Sequence, residues 1–146
     1  MPKELIMRGQ TASGNSETLN FSGDIPDHAY QITEFSLYPS TGLESDNPVL
    51  VGSITAAKTA SDPQNPNFDE QGLIATTTLN YDAGAKDGGI SLSIVNDLFY
   101  ITQNLILTVV NGTSSEAVNW QCKFRKVKLT DQAQAVANYN QSTIYD

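Results

Sequence analysis

Reactive side chains are scarce in this chain of 146 residues, which holds one cysteine, one histidine and one tryptophan. The single cysteine, Cys122, excludes an intrachain disulfide, so the fold has to be held by burial and backbone hydrogen bonding. The single histidine, His28, excludes a metal site built on two imidazoles, and any nucleophile-histidine-acid arrangement must pass through that one residue. His28 follows Pro26-Asp27 at the mouth of a strand, where an ordinary loop histidine beside a carboxylate is the default reading. No Gly-x-Ser-x-Gly elbow occurs to present a nucleophile. Positive charge is scarce too. Eight Lys and Arg against sixteen Asp and Glu leave a net charge of -8, which repels phosphate backbones and anionic lipid, so nucleic acid is a poor candidate partner. No run approaches the roughly 20 apolar residues of a membrane-spanning helix, and the longest, Leu105 to Val110, already contains Thr108. Met1-Pro2-Lys3-Glu4 leads straight into an alternating segment, without a basic stretch, apolar block and small-residue cleavage site in succession, so no signal peptide is expected.

What the chain has in quantity is period-two alternation. β-Branched and aromatic residues are grouped in short runs separated by Gly, Pro, Asn and Asp clusters, the pattern of a sandwich or barrel. Leu5 and Met7 lie on one side of a first strand, and Leu19 and Phe21 mark a second. In Ala29 to Tyr38, Tyr30 and Ile32 hold one parity but Phe35 and Leu37 the other, which predicts a β-bulge near Thr33-Glu34. Further strands are expected at Val49 to Ala56, Leu73 to Tyr81, Ile90 to Val95, Leu98 to Ile101 and Leu105 to Val110. Lys58 to Gly72 is the longest irregular stretch, with Phe68 expected to tether it. Asn111-Gly112 is the strongest turn signal, since both residues tolerate positive φ; the segment up to Glu116 makes it a longer loop than a two-residue hairpin, and the strand that follows is expected to be the hairpin partner. After it Val118, Trp120, Cys122 and Phe124 alternate with Asn119, Gln121, Lys123 and Arg125, apolar side in and polar side out. The length suits one domain. The expected architecture is an antiparallel β-sandwich of about eight or nine strands over residues 1–129, a jelly roll in preference to an immunoglobulin-like sandwich, because the latter's paired cysteines are missing. A short helix or arm at 130–146 follows, with Asp131 to Tyr139 as the helical segment.

The candidate sites are few, and each has an ordinary reading beside it. Cys122 shares the apolar parity of Trp120 and Phe124, where a free thiol behaves as a small hydrophobe. Asp62, Asp69, Glu70, Asp82 and Asp87 lie in two long loops that would suit calcium on a sandwich rim, but their spacing matches no EF-hand. Lys123, Arg125, Lys126 and Lys128 supply half of the basic residues in one segment. They form a candidate surface for an acidic partner, or else guard an edge strand against aggregation. The segment from Gln132 to Gln141 is weakly amphipathic, so it, with Tyr139, Ile144 and Tyr145, is a candidate interface with a neighbouring subunit or else folds back on its own domain. Tyr38, Phe68, Tyr81 and Tyr100 stand near loops, where aromatic rings stack on sugars, which makes a surface glycan the alternative partner. The reading overall is of a module that binds or scaffolds without catalysing and needs no cofactor.

Four strings carry a resemblance: Thr33-Glu34-Phe35-Ser36-Leu37-Tyr38-Pro39-Ser40, Asn65-Pro66-Asn67-Phe68, Ile101-Thr102-Gln103-Asn104-Leu105-Ile106-Leu107 and Asn119-Trp120-Gln121-Cys122-Lys123-Phe124. Together they resemble a group of small virion-associated proteins of marine bacterial viruses. The resemblance implies a capsid-associated role, as a minor capsid, penton, cement or decoration subunit assembled in the host cytoplasm. It also implies partnership with other capsid proteins and homo-oligomers, and it assigns no functional residues.

Overall fold

The computed structural model describes residues 3–21, 28–40, 48–56, 60–81 and 89–129. Among them are eight strands and no helix: β1 (Lys3–Thr11), β2 (Ser16–Leu19), β3 (His28–Pro39), β4 (Val49–Thr55), β5 (Leu73–Tyr81), β6 (Gly89–Val95), β7 (Leu105–Asn111) and β8 (Val118–Lys128). They form two antiparallel sheets, ordered β1-β8-β3 and β2-β7-β4-β5-β6, packed face to face as a β-sandwich. Hydrogen-bonded partners are nested in the sequence, β1 with β8, β2 with β7 and β4 with β5. The expected C-terminal helix or arm lies outside the described residues.

Alternation sets which face each strand buries. β8 sends Val118, Trp120, Cys122 and Phe124 inward against Leu50, Ile54, Leu105, Leu107 and Val109 from the opposite sheet. Each fully buried Leu, Ile, Val or Phe side chain contributes about 1.5–3 kcal/mol. β3 keeps its apolar residues inside only by changing parity. The bulge lies between Ile32 and Glu34, so Ile32 faces the core before it and Phe35 and Leu37 after it. Thr33 donates from Oγ1 to the carbonyl of Lys123 at 3.3 Å, which anchors the extra residue to β8. At one end of the core Phe21, Tyr30 and Phe124 meet in tilted and edge-to-face contacts with centroids 5.0–5.6 Å apart, geometry that adds to their area burial.

Four expectations are corrected. Leu98 to Ile101 is not a strand: the Asn96 side chain accepts from the Leu98 amide at 3.3 Å and curls the chain, leaving one bridge in which Ile101 and Tyr30 exchange backbone hydrogen bonds. Phe68 does not tether the long loop. The inner faces are filled by strand side chains, so the loop crosses the outer face of the five-stranded sheet and Phe68 stays 63% exposed there. Hydroxyl contacts hold the loop instead, Ser53 Oγ donating to the Ser61 carbonyl at 3.2 Å and Ser61 Oγ donating to Glu70 Oε2 at 2.8 Å. The strands on either side of the Asn111-Gly112 loop are not hairpin partners, since β7 pairs with β2 and β4 and β8 with β1 and β3; within the loop the Asn111 carboxamide oxygen accepts from the amides of Thr113 and Ser114, both at 3.0 Å. Finally, β8 is the middle strand of its sheet, so its basic residues do not guard an edge.

Candidate functional site

The outer face of the three-stranded sheet is a polar ladder whose rungs follow from register. Gln10, Asn119 and Tyr38 make one rung, and Arg8, Gln121 and Ser36 the next. Arg8, Ser36, Tyr38, Asn119 and Gln121 line an open groove of about 600 Å³, with Gly9, Leu37 and Trp120 along it. Tyr38 stands at its rim, 57% exposed. Gln10 Nε2 donates to Asn119 Oδ1 at 2.9 Å and Asn119 Nδ2 to the Pro39 carbonyl at 3.4 Å, so the upper rung is pre-oriented. Arg8 has no ion-pair partner among the described residues. A guanidinium, carboxamides, a hydroxyl and an exposed phenol ring in one shallow trough suit a hydroxyl-rich ligand, bound by hydrogen bonds along the floor and stacking at the rim.

Below the groove lie two of the basic residues expected to face a partner. Lys123 Nζ is 3.5 Å from Glu34 Oε2, its cross-strand neighbour. Arg125 Nε donates to Gln31 Oε1 at 2.8 Å and its Nη2 to the Asp97 carbonyl at 3.4 Å. Both head groups are therefore engaged within the domain, and exposed pairs of this kind contribute at most about 1 kcal/mol. Lys126 and Lys128 lie at the far end of β8, opposite Tyr30 and His28 of β3. Tyr139, Ile144 and Tyr145 lie outside the described residues. The basic run is thus a partly self-neutralised row and does not form one free patch.

Comparison with protein-family models gives no match, and neither does comparison with curated proteins. The reading of the site rests on its geometry.

The other candidate residues are dispersed. Among the described residues no three of His, Cys, Asp and Glu gather as metal ligands. Asp62 accepts from the Gln64 amide at 2.9 Å and from Asn65 Nδ2 at 3.0 Å. The Asn65 side chain and then the Gln64 amide hold its carboxyl below the usual value. Asp82 and Asp87 lie outside the described residues. Tyr38 and Phe68 stand on the outer faces of different sheets, so the loop aromatics do not form one platform. The sequence reading singled out Tyr38 but missed Arg8, Ser36, Asn119 and Gln121; the outward parity of β8 was the available signal, but the pairing of β8 between β1 and β3 was not.

Cys122 is fully buried, and burial pushes its thiol up to about 12 from 9.0. An acid raised in the folded state stays protonated while the unfolded chain ionises, so its contribution is constant below about pH 9 and is lost between about pH 9 and 12. The stability of the wild type to urea should therefore fall with rising pH across that window, and Cys122→Ala should show a smaller alkaline loss. A thiol reagent at neutral pH should label the native protein only as fast as it opens. Immediate labelling, or equal alkaline losses in the two proteins, would contradict the assignment.

Proposed function

We propose that the sandwich is a jelly roll and that the chain is a non-enzymatic structural subunit of a virion, in a minor capsid, penton, cement or decoration role. The observation that carries this reading is the nested strand pairing. Folding one long antiparallel ribbon over on itself pairs β1 with β8, β2 with β7 and β4 with β5, and brings β3 beside β6. The last proximity is met by a side chain, Ser93 Oγ of β6 donating to the Phe35 carbonyl of β3 at 2.8 Å. Rolled ribbons of this kind serve viral capsids and lectins. The step from fold to role is analogy, and the resemblance of the four sequence strings points the same way. Mass spectrometry of purified particles of the encoding virus should find the chain at a copy number set by capsid symmetry. Presence in infected cells with absence from particles would overturn the reading.

The groove around Tyr38 favours a second reading, a glycan- or receptor-binding module. Here the wild type should mark hydroxyl-rich glycans on an array, and Tyr38→Ala should lose about 1–2 kcal/mol of binding, roughly fivefold to thirtyfold. Silence on the array with and without calcium, or equal binding by Tyr38→Ala, would remove it.

A further inference from the structure

The edge strand β6 has its pattern inverted. Ser91 and Ser93 take the inward parity, with Ser93 bonded to β3, while Ile90, Leu92 and Ile94 point outward and are 75%, 59% and 48% exposed. Phe68 stands beside them, lining the same hollow of about 280 Å³ as Leu92 and Ile94. β6 has one hydrogen-bonded neighbour, β5, and is the last strand of its sheet. Charges, prolines and bulges usually guard such an edge. The other outer strands follow that rule, since β1 carries Glu4 and Arg8, β2 is four residues long with Glu17, and β3 carries Glu34 and the bulge. From Gly89 to Asn96 there is no charged residue and no proline.

We propose that two copies of this chain associate through β6, antiparallel about a twofold axis at Leu92. The occupant is identified by self-complementarity. Ile90-Ser91-Leu92-Ser93-Ile94 reads the same in both directions from Leu92. An antiparallel pair centred there sets Leu92 against Leu92, Ile90 against Ile94 and Ser91 against Ser93, all like with like. A twofold interface requires a patch that matches itself, and cross-strand apolar pairs are what stabilise such a pairing. Charge agrees: at -8 two copies repel broadly, so contact is least opposed where the surface carries no charge. Ile90, Leu92, Ile94 and Phe68 together expose on the order of 500 Å² of apolar surface, within the upper range of a monomer's largest patch. An edge-to-edge pairing covers the free backbone of β6 and the flanks of Ile90, Leu92 and Ile94 but not Phe68, which lies on the β5 side of the strand. The contact is therefore below the roughly 800 Å² per partner of a standard interface, and the dimer forms reversibly with concentration. The pairing would join two five-stranded sheets into one of ten. It stands independently of the virion reading, since a glycan-binding module would dimerise equally well through it.

The register makes the test sharp. Opposed residues have Cα atoms about 4.5–5.5 Å apart, within the roughly 7 Å limit for a disulfide. Two copies of position 90 would stand four residues apart along the strands, about 14 Å. Under mild oxidation, Leu92→Cys should crosslink to a dimer, and neither Ile90→Cys nor Ile94→Cys should do so alone. An equal mixture of the last two should crosslink, and buried Cys122 stays silent in all of them. Sedimentation of the full chain over a concentration series should show a monomer-dimer equilibrium. Leu92→Lys, which sets two ammonium groups against each other at the axis, should weaken it on the order of tenfold or more while leaving the urea midpoint of the monomer nearly unchanged. A wild type that stays monomeric up to its solubility limit overturns the proposal. So does a dimer indifferent to Leu92→Lys, or crosslinking at position 90 alone as efficient as at 92. If Leu92→Lys fails to fold, the crosslinking series decides by itself.

Discussion

Replacing Trp120 with alanine should lower the free energy of unfolding by about 3–5 kcal/mol, read by urea denaturation followed with far-UV circular dichroism. The indole is 6% exposed and lies over its cross-strand partner Gly9, so closely that a β-carbon at position 9 would stand 2.8 Å from ring atom Cζ2. Its Nε1 donates to Thr11 Oγ1 at 3.0 Å, and Thr11 in turn donates to Glu17 Oε1 at 3.1 Å. The ring thus fastens β8 to β1 by a buried hydrogen bond, and Thr11 continues the relay from β1 to β2 of the other sheet by a part-buried one. Thr11→Val should leave the indole N–H unpaired and cost about 1–3 kcal/mol. In a Trp120→Phe background, which has no N–H to strand, the same change should cost markedly less. Gly9→Ala should destabilise by about 1–3 kcal/mol, because the clash is with a rigid, buried ring. A Trp120→Ala protein losing under 1 kcal/mol, or equal Thr11→Val losses in both backgrounds, would contradict this arrangement.

The relay also marks the limit of what was legible beforehand. Alternation alone placed Trp120, Cys122 and Phe124 inside, and the parity change between Ile32 and Phe35 located the bulge, because both are properties of one strand read along its own length. Phe68 and Leu98 to Ile101 misled because their residue types fit burial or a strand. What decided them was the space left over, a filled core in one case and the Asn96 turn in the other. The groove at Tyr38 was illegible for a different reason. Arg8, Ser36 and Gln121 are scattered through the chain and become neighbours only through the order β1-β8-β3, and pairing between distant strands leaves no periodic trace in any one of them. The edge position of β6 belongs to the same class: its composition was readable, but its lack of a second neighbour was not.

A glycine packed between the two sheets yields a prediction whose sign depends on partner size. Gly52 sits at the centre of β4, on the inner face, where an added β-carbon would stand 3.1 Å from Phe35 Cζ and 3.2 Å from Leu37 Cδ1. Its φ lies outside the left-handed region, so the glycine is required for space and not for backbone conformation. Gly52→Ala would gain about 0.4–1 kcal/mol from the less disordered unfolded chain. The overpacking cost of about 1–3 kcal/mol exceeds that gain, so the net effect should be destabilising, and Gly52→Val more so. Phe35→Ala, at a site with no exposure, should cost about 3–5 kcal/mol by emptying the same space from the other side. The two defects oppose each other in volume, so the double variant Gly52→Val with Phe35→Ala should be more stable than the sum of its parts by about 0.5–3 kcal/mol. Additive losses would mean that the sheets separate to relieve the crowding. A positive coupling would mean that the sheet spacing, about 10 Å in sandwiches generally, is fixed here by the ring of Phe35 bearing on a strand that has no side chain beneath it.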